Sequence, residues 1–174
     1  SIENTIIKAK EIGRSEVKEV VLTGVNIGDF GHGSNENFYQ LIKQLDKLNT
    51  IPRYRISSIE PDLLKDEIIA FVNSSKKFTP HFHIPLQSGS DELLKKMRRR
   101  YDTALYAKRI KLIKELMPEA CIGVDVIVGF PGESEEEFNK TVDFLKSLPI
   151  SYLHVFTYSE RANTTAPRME QIIP

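Results

Sequence analysis

The chain has 174 residues, 40% hydrophobic and 28% charged, and its formal net charge is zero. That length suits one domain with a real core, and the charge balance excludes a whole-domain field drawing it to nucleic acid or anionic membranes. One cysteine, Cys121, rules out an internal disulfide framework, and no apolar run approaches the roughly 18 residues of a membrane span.

Strand and helix patterns alternate along the chain. Residues 1–12 read as a helix with Ile2, Ile6 and Ala9 on one face, and the β-branched run 19–23 reads as a strand ending in Gly24-Val25-Asn26. Phe38, Leu41, Leu45 and Leu48 recur at helical spacing. Residues 53–58 alternate as a strand stopped by Glu60-Pro61, and Leu64, Ile68 and Phe71 mark the next helix. A strand is expected over 81–86, then helices over about 90–97 and 103–117. A buried strand over 122–128 ends on Gly129-Phe130-Pro131-Gly132. The following helix starts with Ser134 and Glu137 in capping-box positions and presents Phe138, Val142 and Leu145. The last strand covers 152–156. Neither end carries a signal peptide or a polar tail, so the sequence reads as a piece of a larger protein.

Strands separated by helices of about 10–15 residues imply parallel βαβ units, in an open doubly wound sheet or part of a (β/α) barrel. Both architectures bind ligands beyond the C-terminal ends of their strands. Every expected strand exits onto glycine, a hydroxyl, an amide or a charge: Thr23-Gly24-Val25-Asn26, Ser57-Ser58-Ile59-Glu60, Gln87-Ser88-Gly89-Ser90, Val128-Gly129 and Tyr158-Ser159-Glu160-Arg161. Turn and cap chemistry accounts for any one of these alone; five in register give a polar rim. Gly-Lys-Ser/Thr and Gly-x-Gly-x-x-Gly motifs are missing, so triphosphate and dinucleotide readings lack support.

Arg98-Arg99-Arg100 suits either an anion-binding fork or a solvated helix end. His81 and His83 share one strand face, but two ligands without a third read as packed or hydrogen-bonded residues, and no metal site is expected. Asp125 interrupts an apolar strand, lining a polar interior or tied down structurally. Cys121 reads as a core thiol. No nucleophile–base arrangement stands out.

The residues around Ile84 carry a more specific signal. The run His83-Ile84-Pro85-Leu86-Gln87-Ser88-Gly89-Ser90-Asp91, with Met97-Arg98-Arg99-Arg100-Tyr101 behind it, resembles the radical S-adenosylmethionine methylthiotransferases, the MiaB-like group. So do Val21–Asn26, Arg55–Pro61, Asp125–Glu133 and Tyr158–Arg161, in order along nearly the whole chain. The Met-Arg-Arg-Arg-Tyr variant is most similar to the branch acting on threonylcarbamoyl-adenosine in tRNA.

The resemblance implies a partial TIM-like (β/α) barrel that binds S-adenosylmethionine beside a 4Fe-4S cluster, with a second cluster supporting insertion of a methylthio group at adenosine carbon 2. It implies a tRNA substrate, a reductant, a cytoplasmic setting, and neither DNA nor membrane as partner. Thr23, Gly24 and Asn26 match the loop that meets the methionine amino group; Ser58 and Glu60 match a strand end near the cofactor. Gln87 and Ser88 match ribose contacts, Arg99 matches a carboxylate partner, and Val128 and Gly129 match the segment beside adenine. The family's Cys-x-x-x-Cys-x-x-Cys is missing from the 174 residues. The expectation is therefore a single-domain fragment of the core, 1–174, without the first strand, the cluster loop, the N-terminal methylthiotransferase domain or the C-terminal RNA-binding domain, and with no catalytic residue of its own. Ala162-Asn163-Thr164 departs from the family's usual Pro-Gly-Thr. A cluster-free nucleoside-binding domain and a ribosomal-protein methylthiotransferase are the rival readings.

Overall fold

A computed structural model of the protein describes residues 1–159. Its elements follow the expected alternation: α1 (Ile2–Gly13), β1 (Val20–Leu22), α2 (Phe38–Asp46), β2 (Tyr54–Ile56), α3 (Asp66–Ser74), β3 (His81–His83), α4 (Asp91–Lys96), α5 (Thr103–Leu116), β4 (Cys121–Val128), α6 (Glu135–Ser147) and β5 (Tyr152–Thr157). Every ladder is parallel. β1 pairs with β2, β3 with β4, and β4 with β5. Isolated bridges at Tyr54–Phe78 and Ser58–His83 join β2 to β3, so the strands run in sequence order across one curved wall. The partial barrel, rather than the doubly wound alternative, is the fold.

The period of two sorts the side chains by face. Tyr54, Ile56, Phe82, Ile122, Val124 and Val126 are buried against the helices, joined there by Phe38, Ile42, Leu45, Ile69 and Ile113. The opposite, concave face carries the other set: Arg55, His81, His83, Gly123, Asp125, Tyr152 and His154. Gly123 is required there by close approach, since a Cβ would lie 2.1 Å from the Tyr152 ring. The ring crosses β4 at that gap and its hydroxyl meets His81 Nε2 at 3.1 Å. Asp125 thus lines a polar interior, one of the two positions its sequence context left open. Cys121 is half-buried at the first residue of β4 rather than deep in the core.

Caps follow sequence signals closely. Asn37 and Gln40 form a reciprocal capping box on α2, and Ser90, Asp102 and Ser134 each accept an amide hydrogen bond at the start of a helix. Two expectations fail locally. β3 ends at His83, not residue 86, because Leu86 and Gln87 both donate their amides to the Asp125 carbonyl, at 3.0 and 2.8 Å. Two residues facing one is a β-bulge, which ends regular pairing. On α6, the side buried is Glu137 and Thr141, while Phe138 is exposed. Glu137 does not close a capping box; its carboxylate accepts from the Ser90 hydroxyl and pairs with Lys140. Polar contacts to a loop 47 residues earlier thus occupy the buried side of the first half of the helix and leave Phe138 outside, while Leu145 packs against the core as expected.

Candidate functional site: the rim of the partial barrel

Backbone bonds at the strand exits place the expected site residues along one rim. Ser57 N–H donates to Leu22 O, Ile59 N–H to His83 O, Ile127 N–H to Gln87 O, and Tyr158 N–H to Val128 O. Thr23, Gly24, Asn26, Ser58, Glu60, Gln87 and Gly129 therefore all follow the C-terminal ends of neighbouring strands, and Val128 is the last residue of β4. The run Glu160-Arg161 lies outside the described residues.

Arg99 joins them through a helix ending. Arg98 adopts φ 56°; its N–H donates to Lys95 O and the Arg99 N–H to Leu94 O. These are the two bonds of a Schellman motif, here with arginine in the left-handed position glycine usually takes. The motif reverses the chain and returns Arg99 to the rim, where its Nη1 contacts Glu60 Oε1 at 3.0 Å. Both side chains are about 70% covered (27% and 28% exposed). The Arg99 Nε is buried without a hydrogen-bond partner among the described residues. A buried guanidinium donor without an acceptor is costly, so this atom is suited to a ligand carboxylate. Asn26 offers the complementary group: its Nδ2 donates to Asp29, 3.3 Å away, while its Oδ1 is buried with no partner among the described residues.

Gln87 is held in strain. Its φ of +70° is a left-handed conformation that non-glycine residues rarely adopt, imposed by the bulge that re-aims the chain as it leaves the sheet. Tyr101 fixes the segment before it, donating to Pro85 O and Leu86 O at 3.1 and 3.2 Å; burial pushes that phenol's pKa well above its ordinary value. Strain of this kind concentrates at functional positions.

Ser88 sits differently. It is fully buried, its hydroxyl is 3.2 Å from Thr141 Oγ1, and it accepts from the Ser90 N–H. Its side chain faces α6, so any influence on the rim runs through the turn. At the next exit, Gly129 has φ +75° and, among the described residues, nothing within 4 Å of where a Cβ would stand. Its N–H donates to the Glu133 carboxylate at 2.5 Å. Glu133 was not among the expected site residues, although the Gly-Phe-Pro-Gly-Glu motif carries it. Burial raises its pKa, against the lowering effect of the Gly129 and Phe130 amides. Tyr158, whose ring lies 5.5 Å edge-on from Phe130, also has a buried hydroxyl without a partner among the described residues. The sequence marked it as the start of the last strand exit, without a role of its own.

With this rim in place, the chain's likeness to known proteins is specific. The model of the radical SAM superfamily matches residues 1–145. The chain belongs to the radical SAM superfamily. The threonylcarbamoyladenosine tRNA methylthiotransferase MtaB of Bacillus subtilis is 44% identical over 170 residues, covering 97% of this chain and 38% of that protein. The tRNA-2-methylthio-N(6)-dimethylallyladenosine synthase of Acetivibrio thermocellus is 35% identical over 176 residues, 100% of this chain and 37% of that protein. Among solved structures, the radical SAM enzyme coproporphyrinogen III oxidase of Escherichia coli superposes with TM-score 0.71 at 14% identity, over 99% of this chain and 40% of that one. The chain thus spans about two-fifths of the length of these relatives.

The donor set fits one of the family's groups and not the other. A methionine head group presents a carboxylate and an amine, matching the unpartnered Arg99 Nε and Asn26 Oδ1. A four-iron cluster needs several thiolates. Cys121 is the one cysteine, and it opens β4, at the opposite end of the strand from the rim. These residues supply no cluster site.

Proposed function

We propose that this chain is the S-adenosylmethionine-binding core of a radical SAM tRNA methylthiotransferase acting on threonylcarbamoyl-adenosine. The observation that carries the reading is the 44% identity to a methylthiotransferase of that class across 97% of the chain. The rim supports it independently, through two buried polar atoms that have no partner among the described residues and suit a carboxylate and an amine.

In this reading Arg99 pairs the methionine carboxylate. Glu60 holds the guanidinium in place from Nη1 and leaves Nε for the ligand. Asn26, with Thr23 and Gly24 forming its loop, accepts from the methionine amine. Gln87 and Ser58 face the ribose, Ser88 shapes the Gln87 turn, and Val128 and Gly129 lie along the adenine. The empty space at Gly129 admits a flat ring against the backbone. When bound, S-adenosylmethionine supplies the adenosyl group for radical chemistry and a methyl group. The two 4Fe-4S clusters of such an enzyme, the reductant and the tRNA contacts belong to chain outside these residues. A cytoplasmic setting with tRNA as partner follows from the same reading; no helix among the described residues is long and apolar enough to cross a membrane.

The test has two parts. Calorimetry should show Arg99→Ala weakening S-adenosylmethionine binding by about 1.5–3 kcal/mol, the loss expected for a hydrogen bond to a charged group. Unchanged affinity would leave Arg99 as Glu60's structural partner only. A longer protein that contains this core together with its cluster cysteines, loaded with clusters, should then methylthiolate tRNA bearing threonylcarbamoyl-adenosine, read by nucleoside mass spectrometry. Modification of dimethylallyl-adenosine instead would overturn the substrate assignment, and modification of neither would overturn the activity.

A further inference from the structure

The concave face below the rim holds a cluster that the reading above does not use. His83, Asp125 and His154 come from three adjacent strands. Asp125 and His154 are direct register partners, and His83 pairs with Gly123, two residues before Asp125 on the same face. His83 Nε2 lies 2.8 Å and His154 Nδ1 3.1 Å from the same oxygen, Asp125 Oδ1. The three ligand atoms all lie within 4.8 Å of one another. The sequence supplied two histidines without a third ligand; the fold brings a carboxylate and another imidazole to one of them.

Asp125 and His83 are about four-fifths buried (18% and 20% exposed), while His154 is half-exposed at 54%. Asp125 has no lysine or arginine partner among the described residues, and its Oδ2 takes no hydrogen bond there. That second oxygen is not among the buried unsatisfied atoms, so it reaches solvent and is open to a further ligand, while Oδ1 is shared by two imidazoles. The imidazoles are braced from outside: Tyr152 lies against both, with ring centroids at 6.3 and 5.2 Å.

We propose that His83, Asp125 and His154 form a binding site for a divalent cation of borderline hardness, of the zinc, iron(II) or cobalt(II) type. Two imidazoles and one carboxylate are the donor set such ions take. A tetrahedral shell with bonds of about 2.0–2.1 Å has ligand–ligand edges of about 3.3–3.4 Å, so the two nitrogen–oxygen separations of 2.8 and 3.1 Å need to widen slightly, and the two imidazole nitrogens, already within 4.8 Å of each other, settle to the same edge. Binding displaces the two ring protons that now face Asp125. Three protein ligands leave a coordination position for water or for an oxygen of a molecule entering from the rim. Asp125 stands three residues before Val128, about 10 Å along the strand; the triad lies directly beneath the rim, where Ser58 bridges His83 and the Gln87 amide bonds the Asp125 carbonyl, and its assignment does not depend on the S-adenosylmethionine reading.

The test is a titration of the purified protein with cobalt(II), followed in the visible, then competed with zinc(II). One equivalent should give a ligand-field spectrum without the near-ultraviolet thiolate charge-transfer band that any cysteine site elsewhere in the protein would show. His154→Ala, at a half-exposed position, should weaken cobalt by more than roughly a hundredfold, beyond the loss from outer-shell changes. Asp125→Ala should do the same, with circular dichroism checking its fold, and His81→Ala, on the same face but outside the triad, should leave the spectrum intact. A protein giving no thiolate-free band would overturn the proposal and leave a hydrogen-bonded brace. A band that survives His154→Ala would overturn it equally, by placing the ion elsewhere.

Discussion

The exits of β3 and β4 both turn through glycine and have opposite physics. At the β3 exit, each small residue after Gln87 is committed to the protein itself. Ser88 and the Gly89 amide meet Thr141 Oγ1, a Cβ on Gly89 would stand 2.7 Å from Thr141 Cα, and Ser90 caps α4 while bonding Glu137. At the β4 exit, Gly129 faces open space and the loop is held from behind by Glu133. One glycine is demanded by packing, the other by its positive φ. A polar, glycine-rich strand end is therefore not by itself evidence of a ligand; what matters is whether its groups are already satisfied. By that measure Gln87, Asn26, Arg99 and Gly129 remain candidates, and Ser88 becomes their support.

The contrast is sharpest in the two glycines. Gly89→Ala should destabilise the protein by about 3 kcal/mol in denaturant melts, the upper end of ordinary overpacking, because the obstructing atom is helix backbone. A loss under about 1 kcal/mol would show that α6 can recede and that the exit is looser than its contacts imply. Gly129→Ala meets no atom, so only the left-handed conformation resists it, at about 1–2 kcal/mol. Its larger effect should be on S-adenosylmethionine affinity if adenine lies there, and equal affinity in the two proteins would remove Gly129 from the site. Gln87→Gly relieves strain but adds unfolded-chain entropy, for a net gain of about 0.5 kcal/mol; ligand binding should nonetheless weaken. A variant that is more stable and binds equally well would make the bulge purely architectural.

The smallest effect concerns Glu133. Burial raises its folded pKa above the ordinary 4.5, so its ionised form is disfavoured by folding. Its favourable contribution is complete below the unfolded value and is lost as pH rises through the folded one. Glu133→Gln should therefore gain stability relative to the parent on going from pH 4 to pH 7 in thermal melts. Parallel curves for the two proteins would mean that the Gly129 and Phe130 amides already offset the burial.

Element order and face assignment were legible because they rest on local periodicity: the alternation in Cys121–Val128 alone separates Asp125 from its buried neighbours Val124 and Val126. The rim was legible too, since strand exits follow from strand positions. What escaped was anything set by distant contacts. Ser88 resembles a ribose ligand in its motif, yet its hydroxyl meets Thr141, 53 positions away. Phe138 falls in the apolar stripe of α6, yet Ser90 and Ser88 draw the polar side of that helix inward. The His83–Asp125–His154 cluster needed the register of three strands before its third member could be named.

Because every ladder is parallel, no pair of strands here can form by closing a tight turn. Each must wait for a helix to carry the chain back across the sheet, and that loop-closure cost precedes any reward from pairing. The β4–α6–β5 unit, with six registered residue pairs, has the most to gain from a single crossover. It is the natural place for folding to begin. The strands holding Asp125 and His154 would then meet early, and β3 would dock afterwards against a pair already in register.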